Sequence, residues 1–156
     1  MIDISTTTKM QCPASRKHTD EVGHAVVNAE ADIEPVVTVI VNAMNEYGFS
    51  VERCLSMQMV ISELCINAVR HGNCSDPSKK VIVTYILSLQ KLRVAIQDEG
   101  AGYNPAAVPD PTLPENIHKP SGRGLYTAVH YSDECNVIKP GNCVEVIKYA
   151  VGCYHE

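Results

Sequence analysis

Between Ile33 and Met44 the apolar residues Ile33, Val36, Val37, Ile40, Val41 and Met44 recur in steps of three and four. That is the period of one face of a helix. Asp32 stands where an N-cap belongs, Pro35 fits the first turn, and Gly48 ends the run. Ser50 is placed to cap a second helix, with Arg53 instead of Glu or Gln at the capping-box position. That helix is expected from about Val51 to His71, with Gly72-Asn73 as its stop. Leu55, Val60, Ile61, Leu64, Cys65, Ile66, Ala68 and Val69 crowd nearly all its sides, the pattern of a central helix.

Elsewhere the period shortens. Val22 to Ala29 has the β-branched content of a short strand. Lys80–Leu89 and Lys91–Asp98 read as two strands joined by a compact antiparallel turn. In the second, Leu92, Val94 and Ile96 alternate with Arg93, Ala95 and Gln97, as in a half-buried strand. A last helix is expected after Gly122-Arg123-Gly124, then two strands around the turn Pro140-Gly141-Asn142. Residues 103–121 interrupt this regularity with five prolines, which exclude ordinary helix or central strand. The segment is either a lid or a disordered surface insertion. Residues 1–20 read as a tail, or a tail with one edge strand, ahead of a single domain over 21–156.

Length and composition fit that picture. A chain of 156 residues suffices for one domain without disulfides or metal. The formal net charge of −5 argues against nucleic acid as a direct partner, and with no Trp and one Phe aromatic stacking platforms for single strands are not expected. Seven cysteines, an odd number with no C-x-x-C pair, read as reduced thiols, Cys54 and Cys65 falling at core positions. His71 and Cys74 could face one metal, but no second ligand pair accompanies them. The polar N-terminus is unlike a signal peptide, and no apolar run could cross a bilayer. A cytoplasmic location without membrane contact is the expectation.

Against this apolar background, Glu63, Asn67, Arg70 and His71 call for explanation. At about 100° per residue, Glu63 and Asn67 share a face, Arg70 lies one turn on, and Glu52 and Ser56 extend the line backward. Such a stripe either forms an internal hydrogen-bond network or lines a pocket. Asp98-Glu99-Gly100-Ala101-Gly102 closes a strand with two glycines that permit a sharp turn and close approach of a ligand. Ser121-Gly122-Arg123-Gly124-Leu125 opens a helix, whose free N–H groups and positive dipole end suit phosphate. No G-x-x-x-x-G-K-[ST] run is present, which excludes P-loop chemistry.

In this order, Glu-x-x-x-Asn on a helix, Asp-x-Gly-x-Gly at a strand end, then a lid and Gly-x-Gly-Leu, the chain resembles the GHKL (Bergerat-fold) ATPases. Within them it is similar to the anti-sigma-factor serine kinases. Glu63, Asn67, Arg70, His71, Gly72, Asp98, Gly100, Gly102, Gly122, Arg123, Gly124 and Leu125 carry the match, which spans about Val22 to Ala150. The resemblance implies a two-layer α/β (α+β) sandwich, with helices on one face of a mixed, mostly antiparallel sheet. It implies ATP and Mg²⁺ as cofactors. Asn67 would hold the Mg²⁺, and Asp98 would accept from the adenine amino group. Gly100 and Gly102 would admit the base, while the lid and the Gly122–Gly124 amides would wrap the phosphates. Arg70, His71, Arg123 and Leu125 would complete the nucleotide site. Glu63 would take the proton from a serine hydroxyl on a partner. The implied protein phosphorylates an anti-anti-sigma (STAS-type) antagonist, sequesters a sigma factor and forms a homodimer.

Each position also has a plainer role. Arg70 also reads as the ion-pair partner of Glu63, His71 as a residue suited to the dipole at a helix end, and Arg123 as a solvated cation. Tyr103 and Tyr126 read as packing residues. The chain departs from the family pattern in placing Asn142 after Gly141, where a Thr is usual, and in offering only Lys119 as a lid lysine. These departures leave open a regulatory module that binds nucleotide, or none, without turnover.

Overall fold

The computed structural model describes residues 4–6, 20–107, 112–116 and 123–151. Six strands form one sheet: β1 (Ile4–Thr6), β2 (Glu21–Val27), β3 (Val81–Leu87), β4 (Lys91–Gln97), β5 (Glu134–Ile138) and β6 (Cys143–Tyr149). Their order is β1-β2-β3-β4-β6-β5. The expected two-layer sandwich is present, but every described strand pair is antiparallel, so the mixed component has no counterpart among them. Residues 4–6 form one edge strand of the sheet. The rest of 1–19 lies outside the described residues.

Alternation along the strands sets which face is covered. Val81, Val83, Tyr85 and Leu87 of β3 are buried while Ile82, Thr84 and Ile86 face outward. The register sets Val83 opposite Ile96 and Tyr85 opposite Val94, and β4 in turn sets Val94 opposite Val146. These rows meet three helices, α1 (Ile33–Glu46), α2 (Val51–Asn67) and α3 (Arg123–Tyr131). Met44, Met57, Leu92 and Val94 are wholly buried between the layers. Each such side chain contributes about 1.5–3 kcal/mol of burial free energy.

The helix starts show what the short-range pattern misjudges. Asp32 holds the N-cap position of α1, but its side chain makes no capping bond there. Its carboxylate reaches back to the N–H groups of Asn28 and Ala29, both at 3.0 Å, and closes a 3₁₀ turn ahead of the helix. Ser50 does cap α2, accepting from the Arg53 N–H at 3.3 Å. Arg53 replaces the usual capping-box acid because its guanidinium works elsewhere. It donates to the Tyr149 carbonyl at 2.8 Å and approaches Asp133 at 3.7 Å, fastening α2 to the far edge of the sheet. Nor is α2 buried on all sides, as a central helix would be. Cys54, Met57, Val60, Ile61, Leu64 and Cys65 are buried, whereas Val51, Leu55 and Met59 point to solvent.

Burial pushes the Cys65 thiol up to about 12, which makes it an inert filler. Among the described residues no group of three His, Cys, Asp or Glu could hold a metal. The pairing of His71 with Cys74 amounts to the thiol lying 3.7 Å from the His71 carbonyl. No helix among the described residues is long and apolar enough to cross a membrane. In the proline-rich segment, 3₁₀ turns occupy Pro105–Ala107 and Pro114–Asn116. Residues 108–111 and 117–122, with Lys119 and Gly122, lie outside the described residues.

Candidate functional site

The site begins where α2 stops being an α-helix. Over Ala68–Gly72 it widens into a π turn, with the Asn73 N–H on the Ala68 carbonyl at 2.8 Å. The wider turn changes the direction of the side chains at its end, and His71 and Gly72 come to face the end of β4, where both line a cavity. Cys74 and Ser75 then take left-handed conformations, φ 54° and 56°, which turn the chain toward β3. Asn73, 2% exposed, accepts the Glu99 N–H at 2.8 Å and so ties the helix end to the loop after β4.

That loop carries Asp98. Its Oδ1 accepts the Gly100 N–H at 2.7 Å. The contacts here leave no room for side chains: a Cβ on Gly72 would strike the Asp98 carboxylate, and one on Gly100 the Gly72 carbonyl. Gly102 adopts φ +82° directly against the Pro140 carbonyl. Burial raises the Asp98 pKa; the Gly100 N–H and the charge of Lys79 partly oppose the rise.

Between the helix end and this loop lies a cavity of about 510 Å³. Asn67, His71, Gly72, Asp98, Gly102 and Leu125 line it, as do Tyr103 and Asn104 from the start of the proline-rich segment. Its apolar wall is Leu64, Ala68, Ile96 and Val144, residues whose sequence pattern marks only core. Cys74, Ala101 and Ala107 also reach it, and no local signal in the sequence singles them out for a pocket. Tyr126 stacks on His130 with ring centroids 3.8 Å apart, a packing role. Tyr103 is instead a cavity residue, 39% exposed.

Five of the expected residues stand off the wall. Gly100 supports Asp98 from behind. Glu63 lies half-buried one helical turn before Asn67, and no hydrogen bond joins the two among the described residues. Arg123 is exposed at the start of α3. Gly124 is buried against Asn67, where a Cβ would land on the carboxamide nitrogen and lie 2.8 Å from Cγ. Arg70 is absent from the cavity wall and is bonded to Glu30, with Glu63 only a lesser neighbouring charge. Its guanidinium forks onto Glu30, at 2.6 and 2.7 Å, bracing the start of α1 against the end of α2. That bond holds the exposed Glu30 carboxyl below its ordinary range. Arg70→Ala is therefore expected to leave nucleotide affinity within about twofold of the wild type by calorimetry.

The arrangement suits a purine nucleotide. An apolar slot with one carboxylate fits a flat base bearing an amino donor. Asn67 offers a hard oxygen suited to Mg²⁺, and Gly124, in the first turn of α3, packs directly against its carboxamide. Gly124→Ala is expected to push the Asn67 carboxamide aside. In calorimetry with and without Mg²⁺, the gain in ATP affinity on adding the metal should fall about tenfold, a loss of roughly 1.4 kcal/mol.

The family model for the histidine kinase-like ATPase domain matches residues 26–148. An anti-sigma F factor from Anoxybacillus flavithermus is 29% identical over 107 residues, covering 64% of this chain and 72% of its own length. A protein named serine-protein kinase RsbW from Bacillus mycoides is 29% identical over 112 residues, 67% of this chain and 69% of its own. Another of that name from Bacillus cereus is 28% identical over 112 residues, with the same coverage of each chain, 67% and 69%.

Proposed function

Because the chain belongs to the histidine kinase-like (GHKL) ATPase family, we propose that it is an ATP-dependent protein serine kinase and anti-sigma factor. It phosphorylates an anti-anti-sigma antagonist of the STAS type, sequesters a sigma factor and acts as a homodimer. The observation that carries this reading is the cavity that brings Asn67 and Asp98 to one space, with Glu63 one turn beyond. Two of the similar proteins are named for the two activities, anti-sigma factor and serine kinase.

ATP supplies the γ-phosphoryl group, and Mg²⁺ offsets phosphate charge. The chain supplies position and a base, which is most of what phosphoryl transfer requires. Asp98 accepts from the adenine amino group, with its carboxylate aimed by the Gly100 N–H. Leu64, Ala68, Ile96, Leu125 and Val144 enclose the base and exclude water from it. Asn67 would hold the metal, and the first amides of α3, with Arg123, would meet the phosphates. His71, Gly72 and Gly102 complete the wall. Glu63 faces the incoming protein and takes the serine proton as the hydroxyl oxygen bonds to the γ-phosphorus and the bond from that phosphorus to the bridging oxygen breaks, releasing ADP.

Radiolabelled ATP incubated with this chain and a STAS-type antagonist from the same organism tests the proposal. Label on an antagonist serine is the expected result. Binding of ATP with no transfer would favour a nucleotide-gated module that only holds its partners.

A further inference from the structure

Asn142 does not line the cavity, yet it is joined twice to the residue proposed to read the base. The paired register of β4 and β6 ends at Gln97 and Cys143. One position further on, the Asp98 N–H still donates to the Asn142 carbonyl at 2.9 Å. The Asp98 carbonyl is met differently: the Asn142 side chain donates to it through Nδ2 at 3.0 Å. The side chain thus completes the pair just where the chain turns through Gly141, at φ +107°. With Gly100 holding Oδ1 at 2.7 Å, three bonds fix Asp98 in backbone and side chain.

The surrounding backbone is interlocked. A Cβ on Gly102 would strike the Pro140 carbonyl, and one on Gly141 the Tyr103 carbonyl. The turn between β5 and β6 therefore cannot shift without shifting the loop from Asp98 to Tyr103. An aspartate at position 142 would set an acceptor against the Asp98 carbonyl, and an alanine would leave that carbonyl without its partner.

We propose that Asn142 is a positioning residue for base recognition, setting through Asp98 the preference for adenine over guanine. Adenine offers an amino donor where guanine offers a carbonyl acceptor, so a fixed carboxylate accepts the first and repels the second. A small rotation of the peptide after Asp98 would blur that distinction, because recognition groups need holding to about 0.5 Å. The inference rests on the ATP reading of the cavity.

Calorimetric titration of the full chain with Mg·ATP, Mg·GTP and inorganic triphosphate tests it, with folding checked by circular dichroism. The wild type should prefer ATP. Asn142→Ala should lose about tenfold in ATP affinity with triphosphate binding unchanged, so that the ATP-to-GTP ratio falls by the same factor. Asn142→Asp, nearly isosteric, should lose at least as much even if the alanine variant fails to fold. Asn142→Thr, which restores a hydroxyl donor, should recover part of the preference. An unchanged ATP-to-GTP ratio in the aspartate variant would overturn the inference, as would equal losses on ATP and triphosphate. A wild type that binds no ATP would overturn the reading of the cavity as well.

Discussion

Asp98→Asn should abolish selective ATP binding without unfolding the protein. A hydrogen bond to a charged acceptor contributes roughly 1.5–3 kcal/mol, so calorimetry should show affinity falling about 10- to 150-fold. Stability should move the other way. Burial raises the Asp98 pKa in the folded chain, so between its unfolded value and that raised value the native state holds more protons. Its contribution is therefore most favourable at low pH and declines as pH rises through that window. At neutral pH the native state carries the cost of a half-buried carboxylate, which asparagine removes. The variant should melt at or above the wild-type temperature at pH 7, and the difference should vanish in acid. By the same sign, as pH is lowered, ATP affinity of the wild type should begin to fall at a higher pH than an ordinary aspartate would dictate. A variant that melts well below the wild type at pH 7 would show that Asp98 serves the fold and not a ligand.

Glu63→Ala should have the opposite profile. Glu63 stands off the cavity wall, so ATP affinity should stay within about twofold. Loss of a general base costs about 10²–10⁴ in rate, and single-turnover transfer of label to the antagonist should slow by that factor. Glu63→Asp, with a shorter reach, should fall in between. Arg70 is already committed to Glu30, so no freed guanidinium compensates in the alanine variant. Normal transfer by Glu63→Ala would leave Glu63 without a part in the chemistry and require another proton acceptor.

How far the sequence announces this site depends on the range of the forces involved. Strand alternation and the α1 stripe are local periodicities, and β2, β3, β4 and both helices after Gly48 emerge close to their expected places. Ser50 as a cap is likewise a matter of three residues. Asp32 escapes the capping rule because its carboxylate has two competing sets of donors, and a 3₁₀ turn takes it. Arg70 lies at helical spacing from Glu63, yet its partner comes from 40 residues away, a choice no periodicity records. The motif order singles out Asn67, Asp98 and Leu125, and all three line the cavity. The apolar wall of Leu64, Ile96 and Val144 looks like any core until three elements leave a gap between them. Asn142 is visible in the sequence only as a departure from a pattern; its bond to the Asp98 carbonyl gives that departure a physical content.

Everything functional here depends on one space, bounded by Asn67 on the helix and Asp98 on the strand end. A crystal structure of the chain with Mg²⁺ and a non-hydrolysable ATP analogue examines that space directly. The adenine amino group should lie on Asp98, the metal on Asn67 and the phosphates at the start of α3. A structure with the analogue bound elsewhere, or with Asn67 and Asp98 closed onto each other across a filled interior, would refute the proposed site.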